Sequence, residues 1–166
     1  PILMTHVGRP RDKKTGVIIC REKESVEPIV RYLERKLPVR IHLPDLPVEG
    51  DRGIIRIEHH LKPVLKDLVD GSINMIYLPN TRWFWGEEAK GGERADFARQ
   101  LASLADIYIN DAFGSWQPHA STYDVAKLSP SFAGILLQRE LAHLELVLSP
   151  EKPFTAVVAG AKYDTK

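Results

Sequence analysis

Four cations and two imidazoles each sit just downstream of a short apolar run: Arg9, Arg82, Lys162 and Lys166, with His6 and His119 beside them. The segments that carry them are Thr5-His-Val-Gly-Arg-Pro10, Pro79-Asn-Thr-Arg82, Asn110-Asp-Ala-Phe-Gly114 with His119 beyond it, and Ala159-Gly-Ala-Lys162 followed by Lys166. Arginine grips phosphate or carboxylate through two parallel N–H groups, and lysine supplies a compact point charge. Gly8, Gly114 and Gly160 would let backbone N–H groups come close to the same anion. Gathering cations has a cost: two unit charges ~4 Å apart repel by ~1 kcal/mol in water and by ~4 kcal/mol at an effective dielectric of 20. Such a cluster is therefore best explained by an anion between its members. The chemistry expected is capture of a small phosphorylated or polycarboxylate ligand.

The elements that must position these groups alternate along the chain. Short apolar runs at residues 2–4, 39–42, 74–78, 107–109 and 154–158 read as strands. Between them, helical spacing recurs. Ser25 precedes Val26, Ile29, Val30, Leu33 and Leu37 as a helix cap, with Pro28 tolerable in the first turn. Residues 59–70 form a second helix, and Phe97, Leu101 and Leu104 mark a third. Residues 135–148 form a fourth, with Leu137, Leu141, Leu144 and Leu148 on one stripe, read as core packing or an interdomain contact. Strand–helix alternation predicts an α/β fold, three layers α/β/α around a mainly parallel sheet. In such sheets ligands bind beyond the carboxyl ends of the strands. The cation-bearing segments all follow strands, so a parallel sheet would deliver them to one crevice.

Composition narrows the function. The chain has 166 residues, 43% hydrophobic and 27% charged, which suits one folded domain and excludes a disordered chain. Lys and Arg number 23 against 22 Asp and Glu, too even a balance for a chain that binds nucleic acid along its whole length. The single cysteine, Cys20, excludes an intramolecular disulfide framework and cysteine-rich zinc sites, and it favours a reducing cytoplasm. No apolar run approaches the ~18 residues that span a bilayer. The chain opens on Pro1-Ile-Leu-Met4 as a strand already under way, which predicts an earlier start. Nucleotide-binding Gly-x-x-x-x-Gly-Lys and Gly-x-Gly-x-x-Gly motifs are absent, as is His-Glu-x-x-His, and no metal site is expected. His59 and His60 are adjacent, point about 100° apart on a helix, and read as a solvated helix start. Glu87-Glu88 reads as a solvated loop, and Arg11, Lys13 and Lys14 as a solvated hairpin. Trp83, Phe84 and Trp85 read as packing beneath the loop rather than as a base-stacking surface.

Taken in order, Met4-Thr-His-Val-Gly-Arg-Pro10, Asn80-Thr-Arg82, residues 101–114 ending in Asn110-Asp-Ala-Phe-Gly114, His119-Ala-Ser-Thr122, Ala133-Gly-Ile-Leu-Leu137, Glu140-Leu141 and residues 153–166 resemble phosphoglycerate kinase. The resemblance runs over nearly the whole chain but only the middle of the family's chain. It implies a two-domain hinge-bending kinase that moves a phosphoryl group between 1,3-bisphosphoglycerate and ADP, giving 3-phosphoglycerate and ATP, with Mg carried on ATP/ADP. It further implies a phosphoglycerate-binding domain over residues 1–130, lacking its first strand, an interdomain helix over 131–150, and the start of a nucleotide domain over 151–166. His6, Val7, Gly8, Arg9, Asn80, Arg82, Asp111 and His119 would bind or shape the site for the phosphoglycerate. Gly160, Lys162 and Lys166 would meet the nucleotide, with the two lysines near the transferred phosphoryl. A cytoplasmic monomer is implied, without nucleic acid or membrane, and the fragment alone is expected to be inactive. The sequence departs from the family at Ser115-Trp-Gln-Pro118, where a His-Arg pair is usual, at Pro79-Asn-Thr-Arg-Trp83 and at Ala159-Gly160. Residues 38–70 also match poorly. These departures frame the alternative: a catalytically lapsed paralogue that binds an anionic metabolite or a protein.

Overall fold

The computed structural model describes residues 1–115 and 117–157. Its elements run β1 (Ile2–Leu3), α1 (Glu27–Lys36), β2 (Ile41–His42), α2 (Glu58–Val69), β3 (Met75–Tyr77), α3 (Gly92–Ala102), β4 (Tyr108–Asn110), β5 (Ser131–Ala133) and α4 (Ile135–Leu148). Strands β2, β3 and β1 lie side by side in that order, all parallel, with Ile76 of β3 registered against His42 on one flank and Ile2 on the other. A parallel sheet requires crossovers, and α1 and α2 supply them.

Alternation along β3 divides the core. Ile76 and Leu78 join the larger cluster with Leu61 of α2 and Phe97, Ala98 and Leu101 of α3. Tyr77 turns the other way, to Val26 and Val30 at α1, with Leu3 and Ile41 packed alongside. One helix on one face and two on the other give the three layers expected. Helix α1 begins one residue later than a Ser25 cap would set it, after Val26. Ser25 still serves that end, because its Oγ accepts from the Glu27 N–H at 3.1 Å.

The structure corrects the sequence reading in four places. The sheet is in two parallel pieces among the described residues, because β4 pairs only with β5. The strand expected at 154–158 is not formed over its described part, residues 154–157. The strand that does form at Ser131–Ala133 is only three residues long, too short to leave a periodic signature. Finally, of the two readings of the α4 leucine stripe, core packing is not met among the described residues, since Leu141, Leu144 and Leu148 are 47%, 49% and 83% exposed, while the interdomain reading is untouched by this.

Phe84 is the pivot of the larger cluster. It is 1% exposed and stacks on Phe97 with ring centroids 4.8 Å apart. Gly86 lets this stack close, since a Cβ there would collide with the Phe97 Cβ and the Glu93 carbonyl. Phe84→Ala is expected to lower stability by about 3–5 kcal/mol, the range for deleting a core aromatic. Equilibrium urea unfolding would read this as a lower midpoint, and an unmoved midpoint would remove Phe84 from its central role.

Candidate functional site

The site grows from the way β1 and β3 leave the sheet together. Beyond the last paired residues the two chains stay in step: Leu78 donates to the Leu3 carbonyl at 2.8 Å and Thr81 to the Thr5 carbonyl at 2.9 Å. The loop holding residues 6–9 therefore emerges beside the one holding residues 80–82. Asn80, fully buried, locks them together. Its Oδ1 accepts from the Val7 N–H at 3.2 Å and the Arg82 N–H at 3.1 Å, while its Nδ2 donates to the Val7 carbonyl at 2.7 Å and the Glu24 carbonyl at 2.9 Å. An Asn side chain has two amide donors and two carbonyl lone pairs. Here each is matched, so the amide enters the core without the penalty of an unpaired polar group. Gly8 sits in the left-handed region at φ 65°, and a Cβ there would meet Glu24 Oε1 at 2.8 Å. Only glycine suits both the conformation and the space.

Arg82 reaches across this junction. Its Nη1 donates to the Gly8 carbonyl at 2.7 Å, which brings the guanidinium to the backbone next to Arg9. Its Nε lies 3.2 Å from Glu88 Oε1 as an ion pair, yet that buried N–H is aligned with no acceptor. The same Glu88 oxygen is 3.8 Å from His119 Nε2. Both imidazoles are held below their usual value of 6.5. For His6 the causes are burial, then the charge of Arg82 and the proximity of His119, with Glu88 opposing. For His119 burial again leads; Glu88 opposes it, and Arg82 and Arg94 add to it. At neutral pH both rings are therefore uncharged, each with one N–H donor and one acceptor nitrogen. The fixed positive charge placed at the site is that of Arg82, offset by Glu88, with Arg9 adjoining on the same loop. Arg9 is exposed and joins none of the ion pairs among the described residues.

Glu87 overturns the expectation of a solvated loop. It is 1% exposed, and its carboxylate accepts from the Ser121 N–H at 3.0 Å and the Ser121 hydroxyl at 2.5 Å. Burial pushes its pKa up to about 7; the Ser121 bonds oppose this, Glu88 adds to it and Arg82 opposes it. Nearby, the Tyr108 hydroxyl donates to the Ser121 carbonyl at 2.7 Å, and burial together with the Glu87 charge raises Tyr108 to about 12. No local pattern foretold this. The partner lies 34 residues away and reaches Glu87 only through the tertiary fold. Arg11 is the other correction: Lys13 and Lys14 are exposed, but the Arg11 guanidinium lies 4.6 Å above the Trp85 ring and donates to the Trp85 carbonyl at 3.1 Å.

The fold thus brings together His6, Val7, Gly8, Asn80, Arg82 and His119, with Arg9 on the same loop. Asp111 is elsewhere. Its Oδ1 accepts from the Leu137 N–H at 3.0 Å, in the first turn of α4, and Gly134 packs so closely that a Cβ would strike the carboxylate. Gly114 is exposed in the turn after β4. Gly160, Lys162 and Lys166 lie outside the described residues.

A parallel α/β domain that sets arginine and imidazole side chains at the carboxyl edge of its sheet is the class defined by this geometry. The chain belongs to the phosphoglycerate kinase family, whose family model matches residues 1–166. It is 40% identical over 168 residues to a phosphoglycerate kinase of Roseobacter denitrificans, covering 100% of this chain and 36% of that one. It is 40% identical over 167 residues to the Moorella thermoacetica phosphoglycerate kinase, covering 99% and 37%. Against the cytosolic phosphoglycerate kinase 3 of Arabidopsis thaliana it is 39% identical over 168 residues, covering 99% and 37%. Among solved structures, the Coxiella burnetii phosphoglycerate kinase matches with a TM-score of 0.62 at 25% identity, covering 92% of this chain and 33% of that one. The chain spans about a third of the length of these relatives.

The Glu87 carboxyl makes stability depend on pH. Below 4.5 both folded and unfolded chains hold its proton; between 4.5 and about 7 only the folded chain does, so stability falls as pH rises through that window. The loss amounts to on the order of 3 kcal/mol. The two histidines act the other way, losing stability as pH falls below 6.5. Urea unfolding of the wild type and Glu87→Gln across pH 4 to 8 cancels the histidine part. The variant is expected to gain on the wild type as pH rises, and a constant difference between the two curves would refute the assignment.

Proposed function

We propose that this chain supplies the phosphoglycerate half of a phosphoglycerate kinase. In that reaction the acyl phosphate at C1 of 1,3-bisphosphoglycerate gives its phosphoryl group to the terminal phosphate oxygen of ADP, leaving 3-phosphoglycerate and ATP. The observation that carries the reading is the Arg82 guanidinium drawn onto the Gly8 carbonyl beside Arg9, with two neutral imidazoles at the same edge. Phosphoryl transfer asks a protein chiefly for positioning and charge neutralisation, which arginine and imidazole donors from separate loops provide. Arg9 and Arg82 carry the anion's charge, His6 and His119 add hydrogen bonds, and Val7, Gly8 and Asn80 set the loop geometry. Asp111, anchored on α4, takes an indirect part by fixing where that helix begins.

In this reading residues 1–130 form the phosphoglycerate-binding domain, residues 131–150 the connection, and residues 151–166 the start of the nucleotide domain. Gly160, Lys162 and Lys166 then face the nucleotide and the transferred phosphoryl. Magnesium arrives on ATP or ADP rather than on this half. No helix of the described residues is long and apolar enough to cross a membrane, and a cytoplasmic monomer without nucleic-acid partners accords with the near-neutral charge. On this account the phosphoglycerate half by itself has no turnover, because the reaction also needs a nucleotide side.

Calorimetric titration of the intact protein with 3-phosphoglycerate tests the site. Arg82→Ala is expected to weaken binding roughly ten- to a hundredfold, the worth of one charge-assisted hydrogen bond or a little more. An unchanged affinity would remove Arg82 from the site.

A further inference from the structure

Glu87 stands next to the anion site yet touches none of its cations directly, and a buried carboxyl is an expensive way to fill a core. An apolar side chain of similar size would pack there at less cost. What the carboxyl provides is a pair of acceptors for Ser121, whose own burial leaves 6% exposed. The Glu87 carbonyl adds a third link, accepting from the Ala120 N–H at 3.1 Å. These bonds seize residues 120 and 121, immediately after His119, at the start of the single π-helical turn Ala120–Asp124. The far end of that turn is fastened separately, by the ion pair of Arg94 on α3 with Asp124. The next residue along the Glu87 loop is Glu88, the carboxylate shared by Arg82 and His119.

We propose that Glu87 is a positioning residue for the anion site: by holding Ser121 it registers the 119–124 turn, so that His119 meets the same edge as Arg82. The inference rests on reading Arg82 and His119 as phosphoglycerate ligands. Without the Glu87 carboxyl, the Ser121 N–H and hydroxyl are left as buried donors lacking acceptors, and the turn is expected to shift to find new ones. His119 moves with it, while Arg82, held by Asn80 and Gly8, stays.

The test measures 3-phosphoglycerate affinity by calorimetry on the intact protein carrying Glu87→Ala, Glu87→Gln or Arg82→Ala. Glutamine keeps a carbonyl acceptor for the Ser121 N–H and can donate to the hydroxyl oxygen. The expected result is a loss of tenfold or more in Glu87→Ala that Glu87→Gln restores in whole or part, a rescue that filling space alone does not produce. A loss under threefold in Glu87→Ala, or equal losses in both variants, overturns the inference. Should Glu87→Ala fail to fold, Ser121→Ala takes its place, with threefold weaker binding or more in support and anything less against. Arg82→Ala separates the two readings. If it weakens binding while the Glu87 variants do not, the site stands and the positioning role falls. If it binds as the wild type does, the site reading itself has failed.

Discussion

One buried amide holds this edge of the molecule in order. Asn80 makes all the hydrogen bonds its side chain can make, two to Val7, one to Arg82 and one to Glu24. Those partners belong to the loop after β1, the loop after β3 and the turn before α1. Loops are usually mobile because their backbone groups look to water for partners. Here an amide inside the core supplies the partners instead, so the loop that presents His6 to Arg9 is fixed to the sheet rather than left to fluctuate. The positive φ of Gly8 and its close approach to Glu24 follow from that tight seating.

Charge at the site is handled by alternation. Cations crowded together would repel, and the structure avoids this in two ways. Glu88 stands between Arg82 and His119, and burial keeps both imidazoles neutral at physiological pH. This edge is therefore rich in donors without being strongly charged, which lowers the mutual repulsion of its cations. Glu88 offers Arg82 a carboxylate oxygen at 3.2 Å, so any other anion at this edge competes with it.

Most of this was legible from residue types. Apolar spacing marks the four helices of the described residues, the strands expected at 2–4, 39–42 and 74–78 each contain the observed one, and that at 107–109 overlaps β4, which runs one residue further, to Asn110. The rule that ligands gather at strand carboxyl ends sets the loops of Arg9 and Arg82 at one edge, where the structure has them side by side. What escaped notice depends on contacts between distant segments. Glu87 looks solvated because its neighbours in sequence are polar or small, and only the arrival of Ser121 buries it. Arg11 looks like one more loop cation until Trp85 slides beneath it. Strand β5 is set by its pairing with β4 rather than by its own pattern, and the largely apolar residues 154–157 pair with no strand among the described residues and form none.

The Asp111 carboxylate on the first turn of α4 has a mechanical corollary. Together with the bond from the Gly134 N–H to the Asn110 carbonyl at 2.7 Å, it welds the root of a fourteen-residue helix to the tip of β4. A helix that long extends ~21 Å at 1.5 Å per residue. Held at its root and largely exposed along the described residues, it is a lever by geometry alone: any rotation at residue 135 displaces residue 148 by a proportionally larger distance.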